Sequence, residues 1–189
     1  MNSIWTLDTA KRAHETSDVL LHSLPQILTN DRPVMDLGCG VGAYIHELDK
    51  QGFSVIGVEG TPAINDISVH KGIIEADLTD PAFDLNTKGH VISLEVAEHI
   101  YPEHEETYVN NLLKHLNGAL IVSWAVRGQG GTGHVNEKNV DEVIQLFTSR
   151  GLRYDNYTTT VMRSLFFTNG ELTNKCPWFA FSLLIFTTQ

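Results

Sequence analysis

Two short stretches of this chain hold residues whose types and spacing can do chemistry. In the first, the apolar run Val34-Met35-Asp36-Leu37 opens into Gly38-Cys39-Gly40-Val41-Gly42, and a second run, Ser54-Val55-Ile56-Gly57-Val58, ends on Glu59 followed by Gly60. Residues without a Cβ let backbone approach a ligand closely and adopt φ/ψ values closed to other residues. An acid at the end of the next strand can hold ribose hydroxyls. Together they describe a site for an adenosine-containing ligand at the carboxyl edge of a parallel sheet, a description that NAD and S-adenosylmethionine both satisfy.

Charge separates the two ligands. Gly38-x-Gly40-x-x-Ala43 formally fits the dinucleotide fingerprint, with Glu59 about where its ribose acid falls. A pyrophosphate at a helix amino terminus needs neutral or cationic surroundings, because it is already anionic. Here Asp36 precedes the turn, and Asp77 and Glu95 stand at the expected carboxyl ends of neighbouring strands. Such acids repel a pyrophosphate and attract the ammonium and sulfonium groups of S-adenosylmethionine. The second stretch, Leu94-Glu95-Val96-Ala97-Glu98-His99-Ile100, is joined by His134 in the segment after Arg127-Gly128-Gln129-Gly130-Gly131-Thr132-Gly133. Imidazoles exchange protons near neutral pH without a large pKa shift.

The elements that must position these residues follow from periodicity. Val19, Leu20, Leu24, Ile27 and Leu28 give an apolar helical face, with Pro25 expected to kink or restart the helix, and this segment of about residues 1–30 is expected to cover the sheet or the cofactor mouth. Ala43 to Lys50 reads as a helix ended by Gly52, and Ser54 to Glu59 as the second strand. Ile73-Ile74-Glu75-Ala76 is a short third strand, Asp77 to Pro81 a turn, and Val91 to Leu94 a fourth strand. Tyr108, Val109, Leu112, Leu113 and Leu116 line a helix that Asn117-Gly118 should end before the strand Ala119 to Trp124. Asn139 and Glu142 form a capping box ahead of the periodic Val140, Val143, Ile144 and Phe147. The regions around Tyr154 to Phe167 and Phe179 to Phe186, rich in β-branched and aromatic residues, predict an antiparallel strand pair joined by a turn at Asn169-Gly170. Alternating strands and helices require a parallel sheet, which makes the fold class a three-layer α/β sandwich.

With 189 residues, 42% hydrophobic and 19% charged, the chain is expected to form one globular domain over 1–189. Its 13 basic against 23 acidic residues argue against a general nucleic-acid or anionic-membrane surface. Cys39 and Cys176 form no metal-binding pair and suit a reducing compartment, so the expectation is a soluble cytoplasmic protein without structural zinc. No surplus apolar helix face stands out, so the sequence does not give the oligomeric state.

These motifs, in this order, resemble the class I S-adenosylmethionine-dependent methyltransferase family over nearly the whole chain from Pro33 to Phe186. Val34 to Gly42 is similar to the family's glycine-rich motif, Glu59 to its ribose acid, Asp77-Leu78 to its adenine-contacting pair, and Leu94 to Ile100 to the segment after its fourth strand. Leu116-Asn117-Gly118-Ala119-Leu120 is similar to the turn into strand five, with Ala119 where a second glycine is often seen. The resemblance implies a Rossmann-like seven-stranded sheet of order 3-2-1-4-5-7-6 with strand seven antiparallel. It also implies S-adenosylmethionine as cofactor, contacted by Asp36, Gly38, Cys39, Gly40, Gly42, Glu59, Gly60, Asp77, Leu78 and Glu95.

Methyl transfer is an in-line displacement at a carbon activated by sulfonium, so holding the acceptor in place supplies most of the acceleration, and a base serves where the acceptor loses a proton. Candidates on the loops after strands four and five are His99, Tyr101, Trp124, Arg127 and His134, of which the catalytic expectation falls on His99 and His134. If the turn Glu95-x-x-Glu98-His99 is helical, its three donors face one side, and His134 can join them. That set is similar to a subset of the family, including small-RNA 2′-O-methyltransferases and some quinone-pathway O-methyltransferases, in which two glutamates and two histidines hold a divalent metal. The preferred reading is metal-free, with Glu95 facing the cofactor and Glu98 and His99 bracing the next helix. Cys39 reads as a small packing residue, Trp5 and Tyr44 equally as shields of the methionine arm or acceptor and as residues that seal the surface, and Trp124 and Trp178 as core. The expected activity is methyl transfer to an O or N atom of a small-molecule acceptor. The alternatives are a catalytically idle methyltransferase-like scaffold and, less favoured by the acidic ring, an NAD-dependent oxidoreductase.

Overall fold

The computed structural model describes residues 6–168 and 175–188. The turn expected at Asn169-Gly170 and the shielding role for Trp5 lie outside the described residues. Seven strands form one sheet of order β3-β2-β1-β4-β5-β7-β6: β1 Val34–Leu37, β2 Val55–Glu59, β3 Ile74–Glu75, β4 Gly89–Ser93, β5 Leu116–Ser123, β6 Arg153–Tyr154 and β7 Leu183–Thr187. β1 pairs in parallel with β2 and β4, β2 with β3 and β4 with β5, while β7 runs antiparallel to both β5 and β6. This is the order that the resemblance implies.

Every residue of β1 and β4 is buried, as a parallel sheet covered on both faces demands. Alternation along β5 divides its side chains between two cores. Leu120 and Val122 join Tyr108, Val109 and Leu112 of α4 (Glu105–His115) and Phe147 of α5 (Val140–Thr148). Ala119 and Ile121 join Val19, Leu20 and Leu24 of α2 (Asp18–Ile27), Leu48 of α3 (Ala43–Lys50) and Met162 and Phe166 of α6 (Asn156–Thr168). α1 (Leu7–Ala13) is capped by Thr6 and precedes α2, which Ser17 caps. α7 (Phe179–Ser182) leads directly into β7. The capping box of Asn139 and Glu142 forms at the start of α5.

Four local expectations are corrected. Residues 156–168 are helical, not extended, because Thr159, Met162 and Phe166 recur at helical spacing on the buried face, and the Asp155 carboxylate accepts the Thr158 N–H at 3.0 Å as a helix-start cap. Packing against β7 and α7 overrides the β preference of the threonines and aromatics. Residues 179–182 likewise form α7, and only 183–187 are extended. Asn117 and Gly118 lie within β5, where Gly118 takes φ 135° and the β4–β5 register shifts after Gly89, so the break falls as a bulge inside the strand. α2 does not restart at Pro25 but continues through it to Ile27. The α6–α7 surface also leaves Tyr157, Phe167 and Phe181 exposed, with the last two rings in edge contact at 5.9 Å, an apolar face that sequence reading passed over. Among the described residues, no helix is long and apolar enough to cross a membrane.

Candidate active site

A cavity of about 430 Å³ opens at the carboxyl edge of the sheet, within the range for small-ligand sites. Its floor is the turn after β1. Gly38, Gly40 and Gly42 have φ of 91°, 54° and 78°, left-handed values that make glycine the fitting residue at each. At Gly38 space is also decisive, since an added Cβ would stand 2.3 Å from a methyl of Val96. Four of the turn's N–H groups are engaged internally. Gly38 and Cys39 donate to the Val58 carbonyl at 2.8 and 2.9 Å, Gly42 to the Cys39 carbonyl at 2.9 Å, and Gly40 to the Glu59 carboxylate at 3.0 Å. The other Glu59 oxygen accepts the Thr61 N–H and hydroxyl, each at 2.8 Å.

Asp36, Gly38, Cys39, Gly40, Glu59, Gly60, Asp77, Leu78 and Glu95 all line the cavity. Gly42 does not. It caps α3 and lies against His70 and Ile73, so its part is to end the turn. Asp36 is 1% exposed, and one of its oxygens has no hydrogen-bond partner among the described residues. Burial, with Glu59 nearby as the second cause, pushes its carboxyl up to about 8. Asp77 accepts the Thr79 N–H and hydroxyl at 2.8 and 2.6 Å, so it shapes its turn as well as facing the cavity. Cys39 is buried against the open Cα of Gly57, and desolvation raises its thiol well above the usual range, as befits packing and not a nucleophile.

Glu95 carries a left-handed φ of 57°, a conformation that costs a non-glycine residue on the order of 1–3 kcal/mol. Ser123 at the end of β5 holds it there. The Ser123 hydroxyl accepts the Glu95 N–H and donates to its carboxylate, both at 2.7 Å. Burial raises the Glu95 carboxyl to about 7, moderated by that hydrogen bond.

Beyond Glu95 the chain makes a 3-10 turn at Ala97–His99. Ligand atoms of Glu98, His99 and His134 lie within 4.8 Å of one another, but Glu95 is not part of the group. The expectation that all three donors of Glu95-x-x-Glu98-His99 face one side is therefore corrected. The left-handed backbone at Glu95 and its tie to Ser123 turn that carboxylate away. Glu98 is fully buried, and among the described residues no hydrogen bond of ordinary geometry reaches either carboxylate oxygen. Desolvation and then Glu95 drive its carboxyl well above the usual range, tempered by the nearby amides of Glu98 and Ala125. His99 Nδ1 lies 3.1 Å from the Gly133 carbonyl, and His134 Nδ1 3.0 Å from the Glu137 carboxylate. Both partners are acceptors, so each ring carries a proton on Nδ1 in these pairs. Burial lowers the pKa of His99, against the pull of the Gly133 carbonyl.

The glycine-rich segment forms the roof, with Gln129 to Thr132 lining the cavity. Glu137 holds it, accepting the N–H of Gly128 and Gly130 at 2.7 and 2.8 Å besides His134. Gly131 has no room for a Cβ, which would meet His134 Nε2 at 2.2 Å. Of the other candidate bases, Arg127 is drawn outward into a two-pronged pair with Glu142 at 2.9 and 2.7 Å. Tyr101 is exposed, and Trp124 is buried, donating to the Asn136 carbonyl at 2.6 Å. Tyr44 lines the cavity, its hydroxyl accepting the Ser17 N–H at 3.0 Å. Trp178, expected in the core, lines it too, as do His14, Glu15 and Thr16 from the link between α1 and α2. Sequence reasoning missed His14 and Glu137, for neither belongs to a motif. The expected cover from the amino-terminal segment was the nearest signal for His14.

A family model described as a methyltransferase domain matches residues 35–120. No curated protein matches the chain in sequence. Among solved structures, a TehB-like S-adenosylmethionine-dependent methyltransferase from Corynebacterium glutamicum superposes with TM-score 0.66 at 17% identity over 96% of this chain and 93% of its own. Magnesium protoporphyrin IX methyltransferase from Synechocystis, with S-adenosylhomocysteine bound, gives 0.65 at 16% identity over 90% and 80%. A sugar N-methyltransferase from Streptoalloteichus gives 0.66 at 14% identity over 97% and 92%. At such identities the likeness is one of fold.

Proposed function

We propose that the chain is an S-adenosylmethionine-dependent methyltransferase, a reading that the methyltransferase-domain match over residues 35–120 and the solved structures of similar fold support, and that it transfers a methyl group to an O or N atom of a small-molecule acceptor seated under the glycine-rich roof, with His99 and His134 beside the acceptor. One observation carries this reading: a single cavity runs from the acid-ringed glycine turn to the two histidines. Solved methyltransferases of similar fold that act on a porphyrin and a sugar support a small acceptor. The acids suit a cationic cofactor and repel a pyrophosphate, and four N–H groups of the turn are already bonded within the protein, which argues against the oxidoreductase alternative.

In this reading Asp36, Glu59 and Asp77 orient the cofactor, Glu95 faces its sulfonium end, and Nε2 of His99 or His134 takes the acceptor proton as the methyl group moves. The test is turnover. Release of S-adenosylhomocysteine with a panel of hydroxyl- and amine-bearing small molecules, lost in a His99→Ala His134→Ala double variant, is the expected result. Cofactor binding without turnover across that panel would favour the scaffold alternative.

The grouping of Glu98, His99 and His134 supports a second reading. A buried carboxylate and two imidazoles whose Nδ1 atoms are anchored by oxygen acceptors suit manganese, iron or zinc. Such an ion would lower the pKa of an acceptor hydroxyl. Metal analysis of protein purified without chelator decides it: about one equivalent supports the ion, and a metal-free, active protein sinks it.

A further inference from the structure

The roof over the histidine end adjoins a segment that is firmly fixed. Just beyond it, the Val135 and Asn136 N–H groups donate to the Glu98 carbonyl at 2.9 and 3.1 Å, the Asn136 carbonyl accepts the Trp124 indole N–H at 2.6 Å, and the Lys138 N–H donates to the Ala125 carbonyl at 3.0 Å. The roof itself stands off the body, for each of residues 127–133 is exposed, and a Cβ added at Gly128 or Gly130 would meet no atom within 4 Å. Glu137 sits in the fixed segment and reaches into the roof. Its Oε1 accepts both the Gly130 N–H at 2.8 Å and the His134 Nδ1 N–H at 3.0 Å, while its Oε2 accepts the Gly128 N–H at 2.7 Å.

The imidazoles meet the roof as well. A Cβ on Gly131 would stand 2.2 Å from His134 Nε2, so the ring lies directly against the roof backbone. His99 is in edge contact with His134 at 5.2 Å between ring centroids, and its Nδ1 lies 3.1 Å from the roof carbonyl of Gly133. A carboxylate that accepts an Nδ1 proton fixes both the tautomer of a neutral imidazole and the direction of its ring, and makes Nε2 the acceptor nitrogen. At Oε1 of Glu137 that function and the fastening of the roof fall on one atom.

We propose that Glu137 is a positioning residue that couples the roof to the base: the carboxylate that draws down Gly128 and Gly130 also sets His134 as its Nδ1–H tautomer, so that the imidazole is ordered for proton acceptance only while the cavity is covered. The inference rests on the assignment of His134 beside the acceptor in the reading above. When the acceptor's proton passes to Nε2, the ring becomes a cation whose Nδ1–H still donates to Glu137, and no proton moves to the carboxylate. Lifting the roof would part Glu137 from its two amides and Gly133 from His99 together, which ties the order of both imidazoles to the exclusion of water.

The unequal load on the two oxygens supplies the test. Nitrogen-15 NMR at alkaline pH reads which ring nitrogen of His134 carries the proton, and amide hydrogen exchange reads Gly128 and Gly130 separately. In the wild type His134 is expected as Nδ1–H with both amides protected. Glu137→Ala should shift His134 toward the Nε2–H tautomer and speed exchange at both glycines by about tenfold or more. Glu137→Gln keeps one acceptor oxygen, which the two donors Gly130 and His134 should claim, so the tautomer and the Gly130 protection persist while Gly128 alone exchanges faster. The proposal is overturned if His134 in the wild type is not Nδ1–H, if Glu137→Ala leaves its tautomer unchanged, or if that variant moves the tautomer while both glycines keep wild-type exchange. Neither readout depends on turnover, so those failures leave the methyltransferase reading standing, whereas a wild type that neither binds S-adenosylhomocysteine nor releases it would overturn that reading instead. Cooperative melting and wild-type S-adenosylhomocysteine affinity in both variants check that the fold and the cofactor end are intact.

Discussion

The two ends of the cavity are built in different ways. The cofactor end is made from strand termini and the turns that leave them, and its geometry is fixed by sheet hydrogen bonds such as those from Gly38 and Cys39 to Val58. The histidine end is made from connections: the Ala97–His99 turn, the glycine-rich roof, and the wall carrying Trp178 and Phe179. One carboxylate, Glu137, holds roof and imidazole together at that end, where the other end has a whole sheet behind it. In α/β folds the sheet edge presents a common ligand while loops decide the reaction. Changes at one end should therefore leave the other nearly untouched.

The largest expected effect that tests this separation is at the histidine end. His134→Ala should lower kcat by roughly 10²- to 10⁴-fold, the range for loss of a positioned base, while S-adenosylhomocysteine affinity stays at the wild-type value in calorimetry. A parallel loss of cofactor affinity would show that the two ends are one unit.

Gly38→Ala makes the reverse cut. The new Cβ would overlap a Val96 methyl at 2.3 Å and require a φ of 91°, a strain on the order of 1–3 kcal/mol. Cofactor affinity and thermal midpoint should both fall, the affinity by about ten- to a hundredfold. Turnover at saturating cofactor should fall far less than in His134→Ala. Equal losses of turnover in the two variants would erase the distinction.

The same division governs what could be read before folding. The cofactor end lies in runs of consecutive residues whose turn, helix and strand signals agree, so Asp36 to Gly42, Glu59 and Asp77 fall where the sequence puts them. Where Gly42 misses the cavity, the reason is local: the last glycine of the turn faces α3 and its neighbours. At the histidine end the pattern Glu95-x-x-Glu98-His99 suggested one face of a helix, but a positive φ at Glu95 and its bond to Ser123 from β5 split the set. That contact crosses strands and leaves no trace in spacing. Residues 156–168 fail for a related reason, since threonines and aromatics read as strand until the packing of Thr159, Met162 and Phe166 is known. His14 reaches the cavity only through a contact between distant parts of the chain, and Glu137 holds the roof through bonds within its own loop that no motif marks.

A smaller and graded effect is expected with pH at the cofactor end. Burial raises the folded-state carboxyls of Asp36 to about 8 and Glu95 to about 7, whereas the unfolded chain loses those protons near pH 4. Between pH 4 and 8 the native state binds more protons than the unfolded one. Ligand-free stability should therefore be highest at the acid end of that window and fall as pH rises through it. Binding of the cationic cofactor runs the other way, since deprotonation creates the charges that attract it. Its affinity should rise between pH 6 and 8.5, by no more than about tenfold per pH unit for each proton released. Calorimetry in buffers of different ionisation enthalpy reads that proton directly, and Asp36→Asn should flatten both trends. Affinity that is flat across the window would mean Asp36 is ionised in the free protein.

The smallest expected effect lies at the rim. Arg127 follows β5 and could have closed over an anionic acceptor, yet its guanidinium is paired with Glu142, whose carboxylate also accepts the Asn139 N–H at the start of α5. The pair is open to solvent, with side-chain exposures of 55% and 38%, and surface pairs of this kind contribute little to stability. Arg127→Ala should leave thermal midpoint and cofactor affinity unchanged within error. It should also leave the acceptor KM unchanged, because the roof hangs from Glu137 and not from this pair. A rise in KM without a fall in kcat would place Arg127 in contact with the acceptor when the roof is closed, and would extend the histidine end of the site to the rim.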